Sequence, residues 1–163
     1  MLQDAWLMAV KDLRIELSSR VVFSQIMPFG FLILILFGFA VSPDLAVVGE
    51  ERRSVLEEVS PGLFWLAVLL SALMALGRAF AVEANDGNLD ALRMAGVDPS
   101  GIFIGKALAV ALQLLGIEII IGLGAVVVFG VPFDDLLLLA VTIVLATAGI
   151  TLAGTLYAAL ATG

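Results

Sequence analysis

The sequence predicts an all-α polytopic membrane protein with one amphipathic interfacial helix and four transmembrane helices. Two observations carry that expectation. Of 163 residues, 62% are hydrophobic and only 14% charged, with a mean hydropathy of +1.17, whereas soluble domains hold roughly 45–50% apolar and about 25% charged residues. A chain this short cannot hide so many apolar residues in one water-exposed globule, so lipid must solvate most of them. The charges also gather between long uncharged runs, and an α-helix rising about 1.5 Å per residue needs such runs to cross roughly 30 Å of hydrocarbon.

Residues 3–20 are too polar to span. Trp6, Val10, Leu13 and Leu17 recur at helical spacing on one stripe, with Asp4, Lys11, Asp12 and Arg14 on the other side. The pattern predicts a helix in the membrane interface with Trp6 at headgroup depth, joined to the first span by an elbow near Ser18-Ser19. A solvated amphipathic arm is the alternative. The first span is expected over 21–41, kinked by Pro28 and Gly30. The second is expected over 61–82, with Pro61 in its first turn. The third, over 102–130, follows an Asp98 N-cap and first-turn Pro99. It exceeds a perpendicular crossing and must tilt, bend at Gly116, Gly122 or Gly124, or protrude. The fourth, over 136–160, is rich in small residues. A single transmembrane domain then covers 1–163. The closing Ala-Leu-Ala-Thr-Gly has no polar tail or basic anchor, as expected of a chain cut short after its fourth span.

Positive charge sets the orientation. Lys11, Arg14 and Arg20 precede the first span, and Arg78, Arg93 and Lys106 surround the connection between the second and third. Arg52 and Arg53 lie among five acids in the first loop, and the Pro132–Asp135 turn has no basic residue. The amino terminus is therefore expected to be cytoplasmic. The acidic balance, 8 Lys+Arg against 15 Asp+Glu, provides no basic footprint for nucleic acid. The absence of cysteine and histidine removes thiolate sites, the commonest metal ligand and the usual general base. No catalytic or metal site is expected.

The connection 83–101 reads as a short cytoplasmic helix. Asn85, Asp86 and Asn88 are good N-caps, Leu89, Leu92 and Arg93 follow at helical spacing, and Gly96 suits a C′ position. Asp86, Gly87, Leu89, Asp90, Leu92 and Arg93 are the candidate coupling residues, with Met94 as a further apolar knob. Transport permeases dock such helices into a groove of an ATPase subunit; an ordinary capped turn would show the same pattern. Gly101–Lys106 is no P-loop, because only three residues separate its glycines and Ala107 follows the lysine. Any ATP hydrolysis belongs to a partner.

Three intramembrane polar residues stand out: Glu118, Gln113 and Arg78. Glu118 lies deep in the third span, where a charge costs roughly 2.5–3.5 kcal/mol on insertion scales. It reads as a polar point on a substrate or gate surface, a proton site, or a protonated carboxyl bonded between helices, with Gln113 as candidate partner. Arg78 reads as a snorkelling cation, with Glu83 within reach. Thr147, Thr151 and Thr155 recur every four residues beside Gly149 and Ala153 and read as packing positions, with a polar conduit as the alternative.

Ser60-Pro61-Gly62-Leu63-Phe64-Trp65, Leu69–Leu73, Arg78-Ala79-Phe80 and Asp86-Gly87-Asn88-Leu89-Asp90 together resemble the CcmB family. Asp98-Pro99 and Gly105-Lys106 extend the resemblance into the third span, while Gly77 and Val110 depart from it at positions where members carry an acid or histidine. The resemblance implies an ABC-2-like, six-span permease subunit of the cytochrome c maturation ABC transporter. It would work in the bacterial inner membrane with a separate ATPase subunit and haem-handling membrane proteins to support haem delivery to a periplasmic chaperone. Haem would then be a ligand handled by the complex rather than a cofactor of this chain, and a homodimer is a further candidate assembly. The alternatives are an ABC-2-type permease for another lipid-like or drug-like substrate and a non-transport assembly scaffold.

Overall fold

The computed structural model describes residues 2–41, 50–84, 94, 96, 98–129 and 135–161. Every regular element among them is helical: α1 (Leu2–Ser19), a π-helical turn (Val22–Ile26), α2 (Met27–Val41), α3 (Glu50–Ala84), α4 (Pro99–Phe129) and α5 (Leu136–Ala161). Among the described residues, four stretches are long and apolar enough to cross a membrane: Val22–Val41, Glu58–Ala79, Pro99–Val127 and Leu136–Leu160. The chain is an all-α multi-pass membrane protein.

The amino-terminal helix differs from the expected one in what it buries. Its inward face is Ala5, Met8 and Ala9, whereas Trp6, Leu7, Val10 and Leu17 are exposed. The bulky stripe read from the sequence thus faces outward, and a second stripe of small residues docks α1 on α4. The approach is close enough that a Cβ on Gly105 would stand 2.6 Å from both the Ala5 carbonyl oxygen and the Met8 Cβ. Only glycine fits there. Helix α1 is therefore held by protein contact along one side and is not merely laid on the interface.

The elbow falls at Arg20, directly after α1, with φ 54°. A non-glycine residue in that region marks a constrained turn. Next comes the π-helical turn, in which the Met27 N–H donates to the Val22 carbonyl. Pro28 has no N–H to donate, and its ring crowds the carbonyl four residues earlier. The wider turn accommodates that crowding, so the irregularity precedes Pro28 instead of centring on Pro28 and Gly30.

Pro61 requires a correction: α3 begins at Glu50, and Pro61 lies inside it, not in its first turn. Glu, Arg and Leu between 50 and 58 are strong helix formers and extend the helix ahead of the apolar run. The carbonyl that Pro61 leaves unbonded belongs to Glu57, at the charged end of the span where water can satisfy it.

Helix α4 is the hub, in contact with α1, α2, α3 and α5. It is continuous from Pro99 to Phe129. Landmarks climb together along α2 and α4: Gly30 faces Ile121, Gly124 faces Phe31 and Gly38 faces Phe129. The two helices therefore run in the same direction. Ile26, Leu34, Phe64, Val68, Leu114, Ile117 and Ile121 form the centre of the apolar core. Asp98 caps α4 as expected, its Oδ1 accepting from the Ser100 N–H at 3.0 Å, and Asp135 caps α5 through the Leu138 N–H at 3.0 Å.

Helix α5 inverts the pattern of a soluble helix. Among its described residues only Thr147, Thr151 and Thr155 are buried, while Leu137, Leu145, Leu152, Leu156 and Leu160 are exposed. With lipid as solvent there is no hydrophobic drive between helices, so small and hydroxyl-bearing residues pack inward and leucine faces out. Gly149 and Ala153 are exposed, and the close contact of this helix is made instead by Gly154 against Leu76.

Candidate functional site

Charged contacts converge where α3 ends and α4 begins. Lys106 is 2% exposed. Its ammonium donates to the Ala79 carbonyl of α3 at 3.0 Å and lies 3.6 Å from Asp12 Oδ2 of α1. A carboxylate and a carbonyl thus receive a cation that could not otherwise be buried. One turn along α1, Glu16 Oε2 accepts from Arg78 Nε at 3.2 Å. Arg78 therefore does not simply snorkel: its observed acidic partner is Glu16, and Glu83 sits near the end of α3 with its side chain outside the described residues.

This arrangement has a topological consequence. Arg78 and Ala79 precede the connection between α3 and α4, and Gly105 and Lys106 follow it. Helix α1 grips both flanks, through Glu16 and Asp12 and through the Ala5–Gly105 approach. The coupling candidates Asp86, Gly87, Leu89, Asp90, Leu92 and Arg93 lie outside the described residues. At the edge of that segment, Met94 is 84% exposed, and Gly96 has φ 78°, the left-handed conformation that a C′ glycine adopts.

A second polar group lies within the spans. Glu118 is fully buried, and the Thr147 hydroxyl of α5 donates to its carboxyl, 2.8 Å from each oxygen. Gln113, the partner considered from sequence, instead lines a cleft beside Glu16 and Gly116. Thr151 bonds back to the Thr147 carbonyl at 2.7 Å, the habit of a hydroxyl inside a transmembrane helix. Ser71 and Thr155 are buried, and their hydroxyls have no hydrogen-bond partner among the described residues. The Glu118–Thr147 contact joins α4 to α5 inside the spans. Among the described residues, no group of three His, Cys, Asp or Glu residues gathers.

Sequence reasoning missed the Asp12–Lys106 contact because its partners lie on separate helices and Lys106 counted only among the positive charges around the connection. A partial signal was Gly105 directly before Lys106, since a glycine inside a membrane helix permits close approach by another helix. Thr147 was legible as an inward residue, but not as the partner of Glu118.

A family model described as CcmB protein matches residues 3–163. The chain belongs to the CcmB family. This CcmB chain is 30% identical over 154 residues to the Heme exporter protein B of Rhodobacter capsulatus, covering 94% of the chain and 66% of that relative. It is 32% identical over 100 residues to the protein of that name from Paracoccus denitrificans, covering 61% of the chain and 42% of the relative. With the Escherichia coli K12 protein of the same name the identity is 25% over 104 residues, 64% of the chain and 44% of the relative. The CcmB chain thus spans two thirds or less of the length of these relatives. No solved structure matches it.

Proposed function

We propose that this chain is a membrane permease subunit of an ABC transporter complex that supports haem delivery to a periplasmic haem chaperone in cytochrome c biogenesis. It is non-catalytic, and a separate ATPase subunit drives it. The observation that carries the coupling mechanism is the double grip of α1 on the flanks of the α3–α4 connection. A push on Asp86–Arg93 would act on the end of α3 and the start of α4. Because Glu16 and Asp12 hold those two points to α1, and α1 leads through Arg20 into the first span, the displacement would reach three spans together.

The relatives' name, Heme exporter protein B, supports haem over another lipid-like or drug-like substrate. With no histidine or cysteine, the chain has neither of the commonest protein ligands for haem iron, so that ligation is assigned to haem-handling membrane partners. The positive residues on both sides of the α3–α4 connection support a cytoplasmic amino terminus in the bacterial inner membrane. A second copy of the chain is a further candidate partner.

The coupling proposal is tested by co-purifying ATPase subunits in mild detergent with the wild-type protein and with a variant carrying both Leu89→Asp and Leu92→Asp. An ATPase that binds the wild type and is lost from the variant supports it. An ATPase retained equally by both places docking elsewhere and removes the proposed role of Leu89 and Leu92.

A further inference from the structure

A cleft of about 190 Å³ lies between α1, the elbow and α4, lined by Leu13, Leu17, Val22, Phe23, Leu112 and Gly116 among others. Its formation follows from the turn at Arg20. The positive φ there separates the end of α1 from the start of the first span, and α4 closes the back of the gap with Gly116, which contributes no side chain. The walls are mostly apolar, and their polar residues are Gln113 and Glu16, whose Oε2 is paired with Arg78. Leu17 is 64% exposed and Phe23 56% exposed, so the mouth opens outward between them.

Arg20 stands midway in sequence between those two lips. It is exposed, and no acid among the described residues forms an ion pair with it. It is also the last charge before the uncharged run that begins at Val21. It therefore marks the polar–apolar boundary in the sequence, three residues from each of Leu17 and Phe23, which line the apolar slot. The ligand chemistry that matches is an anionic group at the boundary joined to a hydrocarbon chain beyond it. We infer that the cleft is a phospholipid site, with the lipid phosphate on Arg20 and part of one acyl chain lying between Leu17 and Phe23 against Gly116. A bound lipid would fill the gap between α1 and the first span and hold the elbow at a fixed angle, independently of what the protein transports.

The test uses the chain reconstituted in liposomes with two photoactivatable probes that share one diazirine acyl chain, a phosphatidylglycerol and the corresponding diacylglycerol. Phosphatidylglycerol is expected to label peptides covering 13–27 and 112–120. Gly116→Phe fills the slot without disturbing α4, because a Cβ there meets nothing within 4 Å. It is expected to cut labelling roughly tenfold, equivalent to excluding about two methylenes from apolar contact. Arg20→Gln is expected to reduce phosphatidylglycerol labelling about threefold, in keeping with an exposed ion pair, while Arg20→Lys preserves it and diacylglycerol labelling is unchanged. Labelling spread evenly over the exposed leucines of α5 and insensitive to Gly116→Phe would overturn the inference. Protection of the slot by another polypeptide, a segment of this protein or a partner helix, would overturn it equally.

Discussion

The buried ammonium of Lys106 in α4 lies 3.6 Å from Asp12 Oδ2 in α1 and donates to the Ala79 carbonyl of α3, so one side chain joins three helices. Removing a partner from a buried charge costs more than removing the charge itself. Asp12→Asn is expected to destabilise by about 1–2 kcal/mol, reduced from the fully buried case because Asp12 is partly exposed. Lys106→Met, which keeps the stem and removes the charge, is expected to cost less, and adding Asp12→Asn to it should change little. Apparent melting temperatures of the three variants in detergent check the order. Equal losses for both single variants would contradict it.

Glu118 and Thr147 form the corresponding contact inside the spans. Thr147→Val leaves a fully buried carboxyl without its hydroxyl partner, an expected loss of about 1–3 kcal/mol. Glu118→Gln still presents an oxygen to Thr147 and is expected to be mild, and the Glu118→Leu, Thr147→Val pair should recover most of the loss of Thr147→Val alone. Denaturant unfolding in mixed micelles measures all three. A Glu118→Gln loss as large as that of Thr147→Val would show that the charge itself, not the hydrogen bond, is what the interior requires.

Gly105→Ala is expected to displace α1. Its new Cβ meets a backbone carbonyl and a Cβ at 2.6 Å, neither of which is a flexible end that can swing away. The readout is trypsin cleavage after Lys11 and Arg14, which should accelerate several-fold as α1 detaches. Gly77→Ala, at a position with nothing within 4 Å, should leave cleavage unchanged. Unaltered cleavage in Gly105→Ala would show that α1 is held without this contact.

These predictions rest on contacts of unequal legibility. Span positions were readable because lipid demands long uncharged runs, and Asp98 was readable as a cap because its chemistry is local. The start of α3 was not, because Pro61 at the head of an apolar run imitates a first-turn proline while the helix formers before it continue the helix backward. The inward face of α1 was hidden because Ala5, Met8 and Ala9 contribute little to a hydrophobic pattern beside Trp6 and Leu17. In the candidate site, Glu118 and Arg78 were found from their depth and charge, but their partners, Thr147 and Glu16, come from other helices and required the tertiary structure.

A role in haem delivery is decided by the content of c-type cytochromes, from haem staining of membranes, in a strain lacking the gene for this protein. Holocytochromes are expected to disappear on deletion, return with the wild-type gene and fail to return with the Leu89→Asp, Leu92→Asp variant although that protein still inserts. Normal holocytochrome content in the deletion strain would contradict a role in haem delivery.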